Sequence, residues 1–193
     1  MSKGKETRQS ILDTALSLVS THGLEQITIG QLAKDLSMSK SGLFAHFRSK
    51  EQLQISVLDE ASERFVATVV LPTLKHPRGE PRIRALFKNW LKWNASLAGG
   101  CIFLAAATEV DDRPGPLRDH VAQSQRDWLA TIARAARIAV AEGHFRADLD
   151  CEQFAFEAEG LFFSHHLHGR LLGEPRADER LRQALDELIE RSK

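Results

Sequence analysis

The chain has 193 residues, 42% of them apolar and 27% charged, and its formal net charge is zero. That composition supports a buried core and excludes large-scale disorder, and the neutral balance excludes a molecule coated in basic surface. The charge is nevertheless uneven: residues 1–50 carry +3 and the remainder −3, the asymmetry of a polyanion-binding head on an acidic body.

Residues 6–21 place Ile11, Ala15, Leu18 and Val19 on one face at helical period, and His22-Gly23 ends that helix. Thr28-Ile29-Gly30-Gln31 reads as a reciprocal capping box opening a short helix to about Leu36, with Ile27 and Leu32 at the staple positions. Ser39 caps a third helix to about Phe47. Ser49-Lys50-Glu51-Gln52 is a second capping box, and it opens a long helix that Pro72 is expected to close at Leu71. A loop over 76–81 is the clearest boundary signal. Helices are expected over 82–98, 101–110, 117–142, 152–172 and 177–191, separated by Gly99-Gly100, by 111–116, by Gly143 and by Gly173-Glu174-Pro175. No long alternating pattern and no internal repeat occurs, so the fold class is all-α.

No apolar run is long enough to span a bilayer, and Met1-Ser2-Lys3-Gly4-Lys5-Glu6 lacks the apolar centre of a signal peptide. The expected compartment is the cytoplasm, where Cys101 and Cys151, which have no CxxC spacing, are reduced thiols acting as small semi-buried residues. There is no nucleophile elbow, phosphate loop or metal motif, so no enzyme activity and no cofactor are expected.

The informative stretch is Thr28 to Lys50, TIGQLAKDLSMSKSGLFAHFRSK. Ile29, Leu32, Ala33 and Leu36 are spaced to face inward, with Leu43 and Phe47 closing the core from the next helix. Left outward are Ser39, Lys40, Ser41, Gly42, Ala45 and His46, short polar or cationic groups on a helix narrow enough for a major groove. Lys40 can reach a phosphate or a guanine edge. Lys50, at a helix N-terminus, can pair with a phosphate, and Lys3, Lys5 and Arg8 offer a basic arm. The same spacing also suits a plain helical hairpin with a solvated polar face.

With the helix before it, this stretch resembles the N-terminal domain of the tetracycline-repressor (TetR) family, over about residues 6–58. The matching residues are Thr28-Ile29, Leu32-Ala33, Met38-Ser39-Lys40, Leu43-Phe44-Ala45-His46-Phe47 and Ser49-Lys50-Glu51-Gln52-Leu53. The resemblance implies an N-terminal three-helix helix-turn-helix DNA-binding domain, 1–49, and a helical-bundle ligand-binding and dimerisation domain, 50–193, with the helix over 50–71 linking them. It places DNA-contacting positions on Thr28, Ser39, Lys40, Ser41, Gly42, Phe44, His46 and Lys50. The chain departs from the family twice: Ser37 stands at a turn position that is usually glycine, and Phe44 where tyrosine usually offers a phosphate its hydroxyl. The chain contains no tyrosine.

Residues 82–172 hold many aromatics interleaved with Asn89, Asn94, Thr108, Glu109, Glu157 and His165, the mixture a small-molecule pocket needs. The candidate ligand residues are Trp90, Trp93, Phe103, Thr108, Trp128, Phe162 and His165, although plain core packing accounts for any one of the rings. The helix over 152–172 is apolar nearly all round, which requires burial on two sides, and the last helix has a cleaner apolar stripe. Leu161, Phe162, Leu181, Leu185 and Leu188 are therefore the candidate dimer interface, in the four-helix arrangement the resemblance implies. His165 and His168 are i,i+3 neighbours, but no acid or cysteine stands at ligand spacing beside them, so no metal site is assigned.

Together these features predict a homodimeric repressor of transcription that binds palindromic double-stranded DNA and is released by an unknown small-molecule effector, without membrane association. Rival readings are an activator, a regulator tuned by a protein partner, and a helical carrier or enzyme that has lost DNA binding.

Overall fold

The computed structural model describes residues 3–193. Met1 and Ser2, which begin the segment considered for a leader, lie outside the described residues, as does the side chain of Lys3 in the basic arm. All secondary structure among the described residues is helical. Contacts gather the chain into two compact units, residues up to 64 with 97–124, and 65–96 with 125–193.

The first unit holds α1 (Lys3–His22), α2 (Ile29–Asp35), α3 (Lys40–His46), α4 (Lys50–Phe65, whose last residue falls to the second unit), α7 (Ile102–Val110) and the first turns of α8 (Pro116–Ala141). Helix begins at Lys3, so the basic segment opens α1. Arg8 lies over the ring of Phe47, 5.2 Å from its centroid. Ile11, Ala15 and Leu16 of α1, Leu32 and Ala33 of α2, Leu43 of α3, Phe47, and Leu53 and Val57 of α4 are all buried. Each large apolar side chain so buried stabilises the fold by roughly 1.5–3 kcal/mol.

Local chemistry sets the short helices. Thr28 Oγ1 accepts from the Gln31 amide at 3.1 Å, and Ile27 and Leu32 are buried as a staple. The capping is one-sided: the Gln31 side chain donates forward to Asp35 at 2.7 Å and does not return to Thr28. Ser39 Oγ takes the Gly42 amide at 3.0 Å to start α3, and Ser49 Oγ takes the Gln52 amide at 3.0 Å to start α4. Between α2 and α3, Ser37 has a φ of +53°, the left-handed region that disfavours any residue with a Cβ. Gly99, which precedes α7, lies so close to α1 that a Cβ would stand 1.1 Å from the Ser20 carbonyl oxygen.

The second unit holds a π-helical turn at Val66–Val70, α5 (Leu71–Thr73), α6 (Glu80–Ser96), the rest of α8, α9 (Cys151–His166), a second π turn at Leu167–Leu171, and α10 (Ala177–Glu190). Pro72 does not close the helix before it. The backbone widens to π hydrogen bonding, Leu71 N–H reaching the Val66 carbonyl, and passes the proline to reach Thr73. The core comprises Leu86, Trp90, Ile132, Ala136, Phe154, Ala158, Phe162, Leu181, Leu185 and Leu188, all buried.

Candidate nucleic-acid interface

Helix α3 is fixed from below by Leu43 and Phe47, both fully buried, and turns Ser39, Lys40, Ser41, Phe44 and Ala45 outward, with Gly42 and His46 part-buried. Ser39 and Ser41 share a hydroxyl–hydroxyl bond of 3.1 Å, which holds both at the start of the helix. A Cβ on Gly42 would press the Ser39 hydroxyl at 3.1 Å, so the cap favours glycine there. Phe44 is 49% exposed. It is a surface ring and not a plug between α2 and α3.

Lys40 does not simply extend into solvent. Its Cε lies 3.3 Å from where a Gly30 Cβ would be, so the side chain crosses the first turn of α2 through the space the glycine leaves. The ammonium thus lies over the first turn of α2, the turn that Thr28 caps, where a cation suits a phosphate oxygen.

Lys50 stands differently from its expected role. Its ammonium donates to the Glu25 carbonyl at 2.7 Å and lies 3.3 Å from the Glu25 carboxylate. Gln54 donates to the Leu24 carbonyl at 2.8 Å and to Glu25 at 3.3 Å, and Arg113 pairs with Glu25 at 3.2 Å. Burial works to raise the Glu25 carboxyl, but the bonds from Lys50 and Gln54 and the charges of Lys50 and Arg113 outweigh it and hold the group below the ordinary carboxylate range. Lys50 therefore anchors the turn after α1, and only part of its hydrogen-bonding capacity remains for a phosphate.

Glu109 is likewise not a pocket residue. Its carboxylate accepts the amides of Leu24 at 2.8 Å and Glu25 at 2.7 Å, tying α7 to the same turn. Gly23 permits this, with a φ of +89° and a hypothetical Cβ only 3.0 Å from both Glu109 oxygens.

In the second unit, Trp90, Trp93, Trp128, Phe162 and His165 do come together. Trp90 stacks on Phe162 at 4.1 Å, Trp128 lies 6.2 Å from Phe162, and Phe65 meets Trp93 at 5.6 Å and Trp128 at 5.0 Å edge-on. His165 turns the edge of its ring to Trp90 and bonds Asp178 at 2.7 Å. Phe103 and Thr108 belong to the first unit, where the exposed Thr108 hydroxyl bonds the Ala105 carbonyl of its own helix. Asn89 bonds Thr73 at 3.1 Å, and Glu157 pairs with Arg191. The residue that sequence reasoning missed is Glu159, buried with its carboxyl on the Trp128 indole at 2.9 Å. A glutamate at a core-facing position between Ala158 and Phe162 is the signal that would have found it.

The histidines take separate carboxylates, His165 with Asp178 and His168 with Glu174, each at 2.7 Å. No group of three metal-ligating side chains occurs among the described residues. Phe162, Leu181, Leu185 and Leu188 are buried within their own chain, and only Leu161 of the candidate interface set keeps open surface. An apolar stripe runs along α9 into the π turn after it, with Phe156 71% and Leu167 47% exposed and Gly160 between them. No described helix is long and apolar enough to cross a membrane.

A three-helix head whose third helix presents small polar and cationic groups, capped and held from below, is a helix-turn-helix DNA-binding module. Two family models match: "Bacterial regulatory proteins, tetR family" over residues 11–57, and "Tetracyclin repressor-like, C-terminal domain" over residues 79–185. The chain belongs to the TetR family of transcriptional regulators. The HTH-type transcriptional regulator TcmR of Streptomyces glaucescens is 25% identical over 189 residues, covering 81% of this chain and 82% of TcmR. A TetR-family regulator from Cytophaga hutchinsonii has the same fold, with a TM-score of 0.89 at 20% identity over 100% of this chain and 98% of that one. A transcriptional regulator from Saccharomonospora viridis in complex with choline matches with a TM-score of 0.76 at 25% identity, covering 96% of each chain.

Proposed function

We propose that this TetR-family protein is a cytoplasmic, non-enzymatic repressor that binds a palindromic operator as a homodimer and is released when a small molecule enters the second unit. The observation that carries the DNA-binding half is the exposed face of α3, with Ser39, Lys40, Ser41, Phe44 and Ala45 outward over buried Leu43 and Phe47 and with Lys40 lying across the first turn of α2. Ser39, Lys40, Ser41, Phe44 and His46 then meet bases and backbone, with Thr28 on phosphate and Lys50 in a mainly supporting part. For the effector half, Trp90, Trp93, Trp128 and Phe162 supply the apolar walls, and the related S. viridis protein holds choline.

The dimer face moves outward from the residues expected. Phe156, Gly160, Leu161, Phe163 and Leu167 of α9 and the segment just after it, with Ala184 of α10, form the stripe that a partner subunit would cover. Selection of bound duplexes from a random pool, with sedimentation of the free protein, tests the reading. A two-fold-symmetric site and a dimer that Phe156→Asp splits are expected. A monomer that recovers an asymmetric half-site at full affinity overturns it.

A further inference from the structure

Among the described residues Glu159 is the only buried carboxylate, at 8% exposure. Its Oε2 takes the Trp128 indole N–H at 2.9 Å, while its Oε1 is closed from solvent and has no hydrogen-bond partner. Such an oxygen costs stability unless something else occupies it. Its surroundings are aromatic: Trp128 meets Phe65 at 5.0 Å and Phe162 at 6.2 Å, and Phe162 stacks on Trp90 at 4.1 Å. Burial and the Trp128 bond are the influences on its carboxyl, and no charged side chain contributes; Arg137 of α8 pairs with Glu152, Arg191 after α10 with Glu157, and Asp178 of α10 with His165.

His166 lies two turns further along the same face of α9, about 10 Å away by helical rise. Its Nδ1 is also buried without a partner. Burial, with the charges of Arg170 and His165, pushes its pKa down, so it adds no positive charge to the site. Trp128 is only part-buried, so the indole that holds Glu159 reaches the surface. The two π turns begin at the residues following Phe65 and His166, and such turns are frequent at functional sites.

We propose that Glu159 is the charge-recognition group of the effector site, and that the effector is a small organic cation, an amine or quaternary ammonium on an apolar body. The cation sets its charge against Oε1 and its apolar body against the part-buried Trp128 indole. The ionised carboxyl would repel an anion, and a neutral ligand would leave the carboxyl protonated and gain no ion pair from it. Burial pushes the Glu159 carboxyl up to about 7 against the lowering effect of the Trp128 bond. Without a ligand the carboxyl is therefore mostly protonated below about pH 7, and an entering cation displaces that proton to solvent. This inference rests on the effector reading above.

The test uses the full chain and two matched probes, benzyltrimethylammonium and its uncharged carbon isostere neopentylbenzene, with saturable tryptophan fluorescence change as the readout. The cation is expected to bind at least about tenfold more tightly, and Glu159→Gln to remove that preference while retaining cooperative melting. Affinity for the cation should rise about tenfold from pH 6 to pH 8 in the parent chain and stay flat in the variant. Equal binding of the two probes, binding of neither, or a cation affinity untouched by Glu159→Gln overturns the inference. Operator release is read in parallel by anisotropy on the selected duplex. Cation binding without release removes the effector reading and leaves the site, whereas release by the neutral probe alone keeps that reading and removes the cation.

Discussion

In the first unit the Glu25 carboxylate sits among Lys50, Gln54 and Arg113, every oxygen taken; in the second, Glu159 has the Trp128 N–H and nothing else. The same contrast runs through both units. The first is a close-fitted frame for a recognition helix: Gly99 against Ser20, Glu109 across Leu24 and Glu25, and Lys50 and Gln54 bracing the same turn. A helix that must meet bases at fixed register needs such a frame, because small displacements cost contacts. The second unit keeps unsatisfied polar atoms inside an aromatic core, at the expense of stability, and carries two largely exposed π turns. That is the usual arrangement where a site must accept something from outside.

The largest effect should come from breaking the frame. Gly99→Ala places a methyl group inside backbone van der Waals distance, and urea unfolding should show a loss of more than about 3 kcal/mol. Gly160→Ala, where a Cβ meets nothing within 4 Å, should cost the monomer nothing by the same measurement.

The two carboxylates should give opposite pH behaviour. Glu159 holds its proton in the folded state to about pH 7, whereas the unfolded chain releases it near the ordinary 4.5. The folded state therefore binds more protons across that window, and stability falls as pH rises through it. Glu159→Gln should remove this fall and gain up to about 3 kcal/mol at pH 8, with little change at pH 4. Glu25, held low, contributes stability above its unfolded pKa that is lost as the solution is acidified through the lower folded value. Glu25→Gln should accordingly reduce the acid sensitivity of the first unit. A variant at Glu159 whose melting curve keeps the parent's pH profile would dissolve the contrast.

The two lysines sharpen it further. Lys40→Ala should weaken DNA binding on all sequences and flatten the plot of log K against log salt by roughly two units per dimer, one phosphate being lost in each subunit. Lys50→Ala should instead leave the slope nearly unchanged and lower stability by about 1 kcal/mol, since its cation is spent on Glu25. Equal slope changes would return Lys50 to the phosphate contacts.

Two smaller gains are expected where the chain departs from its family. Phe44→Tyr, on an exposed ring, should add a phosphate donor and tighten DNA binding by about 1 kcal/mol per site, without lowering the melting temperature. Ser37→Gly should relieve the left-handed turn and raise stability by about 1 kcal/mol, with operator affinity little changed.

Sequence alone determined the helices, because their signals are local. Apolar period, Ser and Thr caps, and glycine stops place α1, α2 and α3 and the later long helices within a few residues of where they stand. It also placed Ser39, Lys40, Ser41 and Ala45 of α3 outward, since Leu43 and Phe47 hold the opposite face, but it left Phe44 out of that set, and Gly42 and His46 are part-buried. Pro72 does not stop its helix, because a proline's cost depends on whether the preceding turn can widen, which the surrounding packing sets. Tertiary structure alone decided the partners of charges. Nothing in the spacing of Lys50, Glu25, Arg113 and Glu109 announces that they meet at one turn, 25 to 88 residues apart in sequence. It likewise decided which face of an all-apolar helix is core: Phe162 and Phe156 look alike in sequence, yet one is fully buried and the other 71% exposed, because burial depends on what α10 and α6 cover. Glu159 belongs to the same class, since its meaning lies in the indole beside one oxygen and the absence of any donor beside the other.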